Sequence, residues 1–101
     1  MSAITEITID TAYCPAESAY VELGLYANGS TALRIWSFEG EPLLTATVAI
    51  DLVPDDGNVF IKDYSENEGV LNCLIDQGVV SKPLREHQAG FAIVHECKLL
   101  V

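Results

Sequence analysis

The chain is short of positive charge. Its 101 residues include five lysines and arginines against fifteen aspartates and glutamates, a formal net charge of −10. Residues 1–61 carry nine acids with Arg34 as their one base, and residues 62–101 carry six acids with four bases. A field of that sign repels phosphate backbones and anionic lipid, so direct binding to nucleic acid or to a membrane is excluded, whereas basic protein surfaces are attracted. Solubility alone would also account for the charge, so it indicates a partner only together with a shaped surface.

Cysteine is scarce as well. Cys14, Cys73 and Cys97 are an odd number without a Cys-x-x-Cys pair, which argues for reduced thiols in a reducing compartment. No apolar run approaches the length of a membrane span, and no basic segment leads into an apolar one near Met1, so a cytoplasmic protein is expected. A glycine-rich phosphate loop, a Ser/His/Asp set and a paired-carboxylate signature are all missing. Cys73, Cys97, His87 and His95 have ligand chemistry, but their spacing is not that of a zinc site, and buried thiols with a half-exposed histidine are expected instead, with no metal and no cofactor. Cys14 precedes Pro15 and has no base or cation nearby in sequence to activate it as a nucleophile. Asp55-Asp56-Gly57-Asn58 lacks the alternating oxygens and the later glutamate of a calcium loop and reads as a turn. The chain is read as a non-enzyme.

What is present describes one globular domain over 1–101. Half the residues are apolar and 20% are charged, enough for a real core without covalent staples. Met1-Ser2-Ala3-Ile4-Thr5-Glu6 reads as the start of a short, edge-type strand over 2–10, in which Ile4, Ile7 and Ile9 interleave with Thr5, Glu6 and Thr8 with one slip at Glu6, and 14–18 as a loop around Pro15. In residues 20–27, Val21, Leu23, Leu25 and Ala27 alternate with Tyr20, Glu22, Gly24 and Tyr26. Asn28-Gly29 predicts a type I′ hairpin into a strand over 31–38, in which Leu33 and Ile35 continue the inner face. A third strand is expected over 43–52, a short one over 59–61, another over 84–88, and a strand over 91–99 whose two apolar faces place it near a sheet centre.

Between them the apolar period changes. Val70, Leu71, Leu74 and Ile75 share one face of a helix expected over about 66–77. Ser65 and Glu68 have the spacing of a capping box, and Gly78 stands where a left-handed C-terminal cap is wanted. Asn67 falls near the buried face, where its amide must find a partner; a bond to strand backbone would make this stretch a clasp between helix and sheet. The fold class expected is α+β: an antiparallel, curled or partly barrelled sheet of about six strands with one helix packed on one face.

The outward residues of the hairpin, Tyr20, Glu22, Tyr26, Arg34, Trp36 and Phe38, with Glu39 and Glu41 in the next turn, combine aromatic rings, an arginine and carboxylates as protein interfaces do. Two readings stand: an exposed partner-binding face, or a second core layer beneath the helix or a returning strand. Tyr26-Ala27-Asn28-Gly29, Gly40-Glu41-Pro42 and above all Ile61-Lys62-Asp63-Tyr64-Ser65-Glu66-Asn67-Glu68-Gly69 make the chain similar to an uncharacterised family of short acidic proteins encoded by bacteria, plasmids and phages. That resemblance implies a mobile-element setting and brings no catalytic residues. The function expected is a non-enzymatic inhibitor, of anti-CRISPR or other anti-defence type, that occupies a cationic nucleic-acid-binding surface of a basic host protein or complex. The alternative is an accessory domain that binds a small molecule or peptide.

Overall fold

The computed structural model describes residues 5–101, so the expected start of the first strand at residues 2–4 lies outside the described residues. Among the described residues, seven strands form two antiparallel sheets. In the first, β1 (Thr5–Thr11), β2 (Cys14–Leu25), β3 (Thr31–Ser37) and β4 (Pro42–Thr45) pair in chain order. In the second, β7 (Ala92–Lys98) lies between β5 (Asn58–Lys62) and β6 (Arg85–Ala89). A 3-10 turn (Ser65–Asn67) and a helix α1 (Val70–Asp76) separate β5 from β6. The class is α+β, with two sheets meeting at a corner in place of a barrel.

The corner explains why the expected strand over 43–52 is short. The Ala46 amide still donates to the Leu33 carbonyl, but Lys62 donates to the Ala46 carbonyl and Val48 to that of Phe60. Residues 46–48 therefore leave β3 for β5, and the chain beyond them is in neither sheet, with Leu52 and Val53 exposed. Pro15, expected in a loop, sits inside β2. Ile9 pairs with Glu17 and Thr11 with Cys14, so a bulge there sets two residues of β2 against Asp10 and absorbs the residue that cannot donate.

The β2–β3 connection is also not the type I′ turn expected. Gly29 N–H donates to the Tyr26 carbonyl, Tyr26 N–H to that of Ser30, and Gly29 alone has a positive φ, of 87°. This is a three-residue loop built on a type I turn with glycine as its bulge, and 37–41 repeats the arrangement with Gly40. Leu23 and Leu25, expected inward, are exposed because the hairpin tip runs past the core. Beneath it, Ile7, Ile9, Ala19, Leu33 and Ile35 meet Val59, Ile61 and Cys97 of the second sheet and Val70, Leu71 and Leu74 of α1. At roughly 25 cal/mol per Å² of apolar area, this cluster is the main source of stability.

The helix starts later than expected, and differently. Ser65 and Glu68 form no capping box: Ser65 has a φ of 55°, and neither N-cap residue, Tyr64 before the 3-10 turn or Gly69 before α1, makes a side-chain cap bond of its own. The Asp63 carboxylate does the work instead, accepting from Gly69 N–H at 3.1 Å and Leu71 N–H at 2.9 Å. At the other end Gly78 behaves as expected. Gly78 N–H donates to Ile75 and Val79 N–H to Leu74, the two bonds of a Schellman cap, with Leu74 and Val79 both buried.

A mutant pair separates the two starts. Asp63→Ala is expected to cost about 1–2 kcal/mol by removing a cap. Ser65→Gly is expected to be neutral or to stabilise by up to about 1 kcal/mol, since it relieves a left-handed conformation. Chemical denaturation checks both; a capping box would require Ser65→Gly to weaken the fold.

The helix also protects an edge. Thr8 N–H of β1 donates to the Gln77 side chain, and Cys73 Sγ donates to the Thr8 carbonyl. β1 ends the first sheet, and α1 occupies backbone groups that would otherwise template pairing with another chain.

Candidate functional site

The hairpin face that points away from the core forms two rows. Register places Glu6 beside Tyr20 and Tyr20 beside Trp36. In the next row Glu22 stands beside Arg34, and Arg34 beside Thr45. Neighbours of this kind share one face and lie within contact distance. The helix packs on the other side, against β1 and β5, and does not cover this face, where Glu6 and Glu22 are exposed. Phe38, just past β3, is exposed and stacks at a tilt on Tyr20, with centroids 5.5 Å apart. Trp36 Nε1 donates to Glu22 Oε1 at 3.3 Å, and Arg34 Nη1 stands 4.0 Å from the same oxygen. Glu39 and Glu41 follow Phe38 in the exposed turn, their amides bonded to Ser37 Oγ.

Tyr26 does not join this group. The turn begins at its carbonyl, and its hydroxyl bonds the Thr47 carbonyl and hydroxyl, each at 3.1 Å, at the corner between the sheets. Of the eight candidate residues, five form the face, two border it and one is structural.

Asn67 is 1% exposed, and its amide donates to the Thr45 carbonyl at 2.7 Å. One residue on, the Glu68 carbonyl accepts from Ala12 N–H. The segment therefore ties the β1–β2 turn to β4 and is a clasp. Beside it runs a groove of about 450 Å³, lined among others by Tyr13, Cys14, Tyr26, Leu43, Leu44 and Lys62. Burial raises the Cys14 thiol pKa, and Glu17, Cys73 and Asp10 raise it further. That thiol is not an activated nucleophile.

The cysteines and histidines do not converge. His95 and Cys97 share the core side of β7, whereas His87, paired with Val94, lies on the opposite side with Glu96. Burial, with Glu96 adding to it, pushes the Cys97 thiol up to about 11.

The opposite side of the second sheet holds what sequence reasoning missed. Glu96 is 1% exposed. Its Oε2 accepts from Asn58 Nδ2 at 2.8 Å and Asp55 N–H at 3.2 Å; its Oε1 is 2.8 Å from His87 Nε2 and 3.6 Å from Arg85 Nε. Phe60 lies edge-on to the His87 ring beside it. Burial pushes the Glu96 carboxyl up, but the bonds from Asn58, His87 and Asp55, with the Arg85 charge, outweigh it and hold the pKa below its usual value. The sequence signal was a lone acid within a central strand that is apolar on both faces at its start. No family model, curated protein or solved structure matches this chain.

Proposed function

We propose that this chain is a non-enzymatic, acidic protein-binding module that occupies a cationic, nucleic-acid-binding surface of another protein, as a phage- or plasmid-encoded inhibitor of anti-CRISPR or other anti-defence type would. One observation carries the reading: an uncovered face that combines Tyr20, Trp36 and Phe38 with Glu6 and Glu22, on a domain of net charge −10. The rings supply desolvated contact area, and the carboxylates steer association and set the register.

The test is affinity capture from a nuclease-treated bacterial lysate at low and high salt, with the bound proteins identified. Nucleic-acid-binding proteins are expected at low salt, released by added salt and by competing DNA or RNA. Reversing Glu22, Glu39 and Glu41 together to lysine is expected to abolish capture; capture that survives the reversal sinks the electrostatic mechanism. The groove beside the clasp favours a second reading, a small-molecule or peptide site. Binding that is lost on Leu43→Arg yet survives the triple reversal would select it.

A further inference from the structure

We propose that the outer face of the first sheet recognises an arginine side chain of its partner, stacked on the rings of Tyr20, Trp36 and Phe38 and bonded by the carboxylates of Glu22 and Glu6. This rests on the protein-binding reading above and names the group that is read.

Among the described residues no cation of the chain stacks on these rings, and Arg34 makes only a loose contact to one of the acids. Among the described residues one cation–π contact occurs, Lys62 on Tyr64, on a different part of the surface. Arg34 is the one base in residues 1–61, and its guanidinium extends over Gly24: a Cβ there would stand 2.6 Å from Arg34 Nη1. It lies over the glycine in place of the rings. A side chain at position 24 would fill that space, so Gly24 gives Arg34 its berth.

Glu22 is pre-set in turn. Oε1 takes the Trp36 indole N–H and the loose contact to Arg34, while Oε2 has no bond among the described residues. The indole bond orients the carboxylate and the ring together, which reduces what binding must order. Glu6, beside Tyr20 in the next row, has no ion pair among the described residues. Two carboxylates therefore stand on a face that carries three aromatic rings. A planar guanidinium satisfies both surfaces at once, since it stacks on rings and donates in a fork to carboxylate; a lysine ammonium is a point charge and stacks less well. Arginine is also the residue that nucleic-acid-binding surfaces use to grip phosphate.

Trp36 is the sole tryptophan, so its fluorescence reports directly on the site. The intact protein is titrated at low salt with short arginine, lysine and citrulline homopeptides. The arginine peptide is expected to give a saturable change in Trp36 emission, the lysine peptide to bind about tenfold more weakly, and the uncharged citrulline peptide to give no change. Phe38→Ala, at an exposed ring, is expected to weaken the arginine peptide about fivefold and to bring it toward the lysine affinity; Glu22→Gln is expected to weaken both peptides. Thermal unfolding confirms that each variant is folded. Arginine and lysine peptides that bind equally, with Phe38→Ala without effect, would overturn the ring site while leaving salt-dependent docking intact. Failure of both peptides to bind would overturn the ring site and the acidic-docking reading together.

Discussion

Glu96→Ala is expected to cost about 3–5 kcal/mol, a large share of the stability of a domain this size. The substitution removes a buried carboxylate and leaves the Asn58 amide, the Asp55 N–H and His87 without their shared acceptor. These donors are part-buried, so each one left unsatisfied costs toward the lower end of about 1–3 kcal/mol, while the small cavity adds less. A loss of 3 kcal/mol corresponds to a drop in Tm of about 12 °C or more for about 100 residues. Glu96→Gln, which keeps the shape and one acceptor oxygen, is expected to cost about 1 kcal/mol at neutral pH.

The two proteins also differ in acid. The folded Glu96 carboxyl is held below its unfolded value, so its contribution is fully present above the unfolded pKa of about 4.3 and is lost as pH falls through the folded one. The stability gap between wild type and Glu96→Gln is therefore expected to shrink below pH of about 4. Urea denaturation at a series of pH values checks this. A gap that widened in acid would mean that the carboxyl is held neutral in the fold.

The parts of the fold that could be read from the sequence are those written locally. The alternation through 20–25 and 31–37 gives β2, β3 and their outward face, because a strand's period is carried by each residue pair. Gly78 after Leu74 and Ile75 marks the helix end because the Schellman bonds span five residues. Ala92–Lys98 shows itself as a central strand by having apolar residues on both faces. The parts that could not be read depend on distant partners. Residues 46–48 leave β3 because β5 competes for them, and no local signal marks that exchange. The helix is capped by Asp63, six and eight residues before its bonded amides, while the nearer Ser65 takes a left-handed conformation. Tyr26 follows the alternation of Tyr20 and Glu22, yet the turn that starts there sends its hydroxyl to Thr47. The Glu96 cluster gathers residues 55, 58, 85 and 87 around one strand position, which only the sheet register reveals.

Asn67→Asp is expected to destabilise by about 3 kcal/mol or more at neutral pH, although it exchanges one amide group for oxygen. The amide donates to the Thr45 carbonyl from a site that is 1% exposed. A carboxylate there would set oxygen against oxygen and bury a charge without a partner. The new carboxyl would have a folded pKa above its unfolded value of about 3.9, because only its protonated form can donate to Thr45. The penalty is therefore fully present above that raised pKa and fades as pH falls through it, opposite in sign to Glu96. Asn67→Ala, by contrast, is expected to cost about 1–3 kcal/mol, with no such pH dependence of its penalty, by leaving the Thr45 carbonyl unpaired. Hydrogen exchange adds a local readout. The Ala12 amide, bonded to the Glu68 carbonyl across the same seam, is expected to exchange faster in both variants while the β3 amides of Leu33 and Ile35 change only with global stability. Unchanged Ala12 protection together with an unchanged Tm in Asn67→Ala would mean that the segment is no clasp. The distinctive run of residues 62–69 would then have to be explained by what binds it.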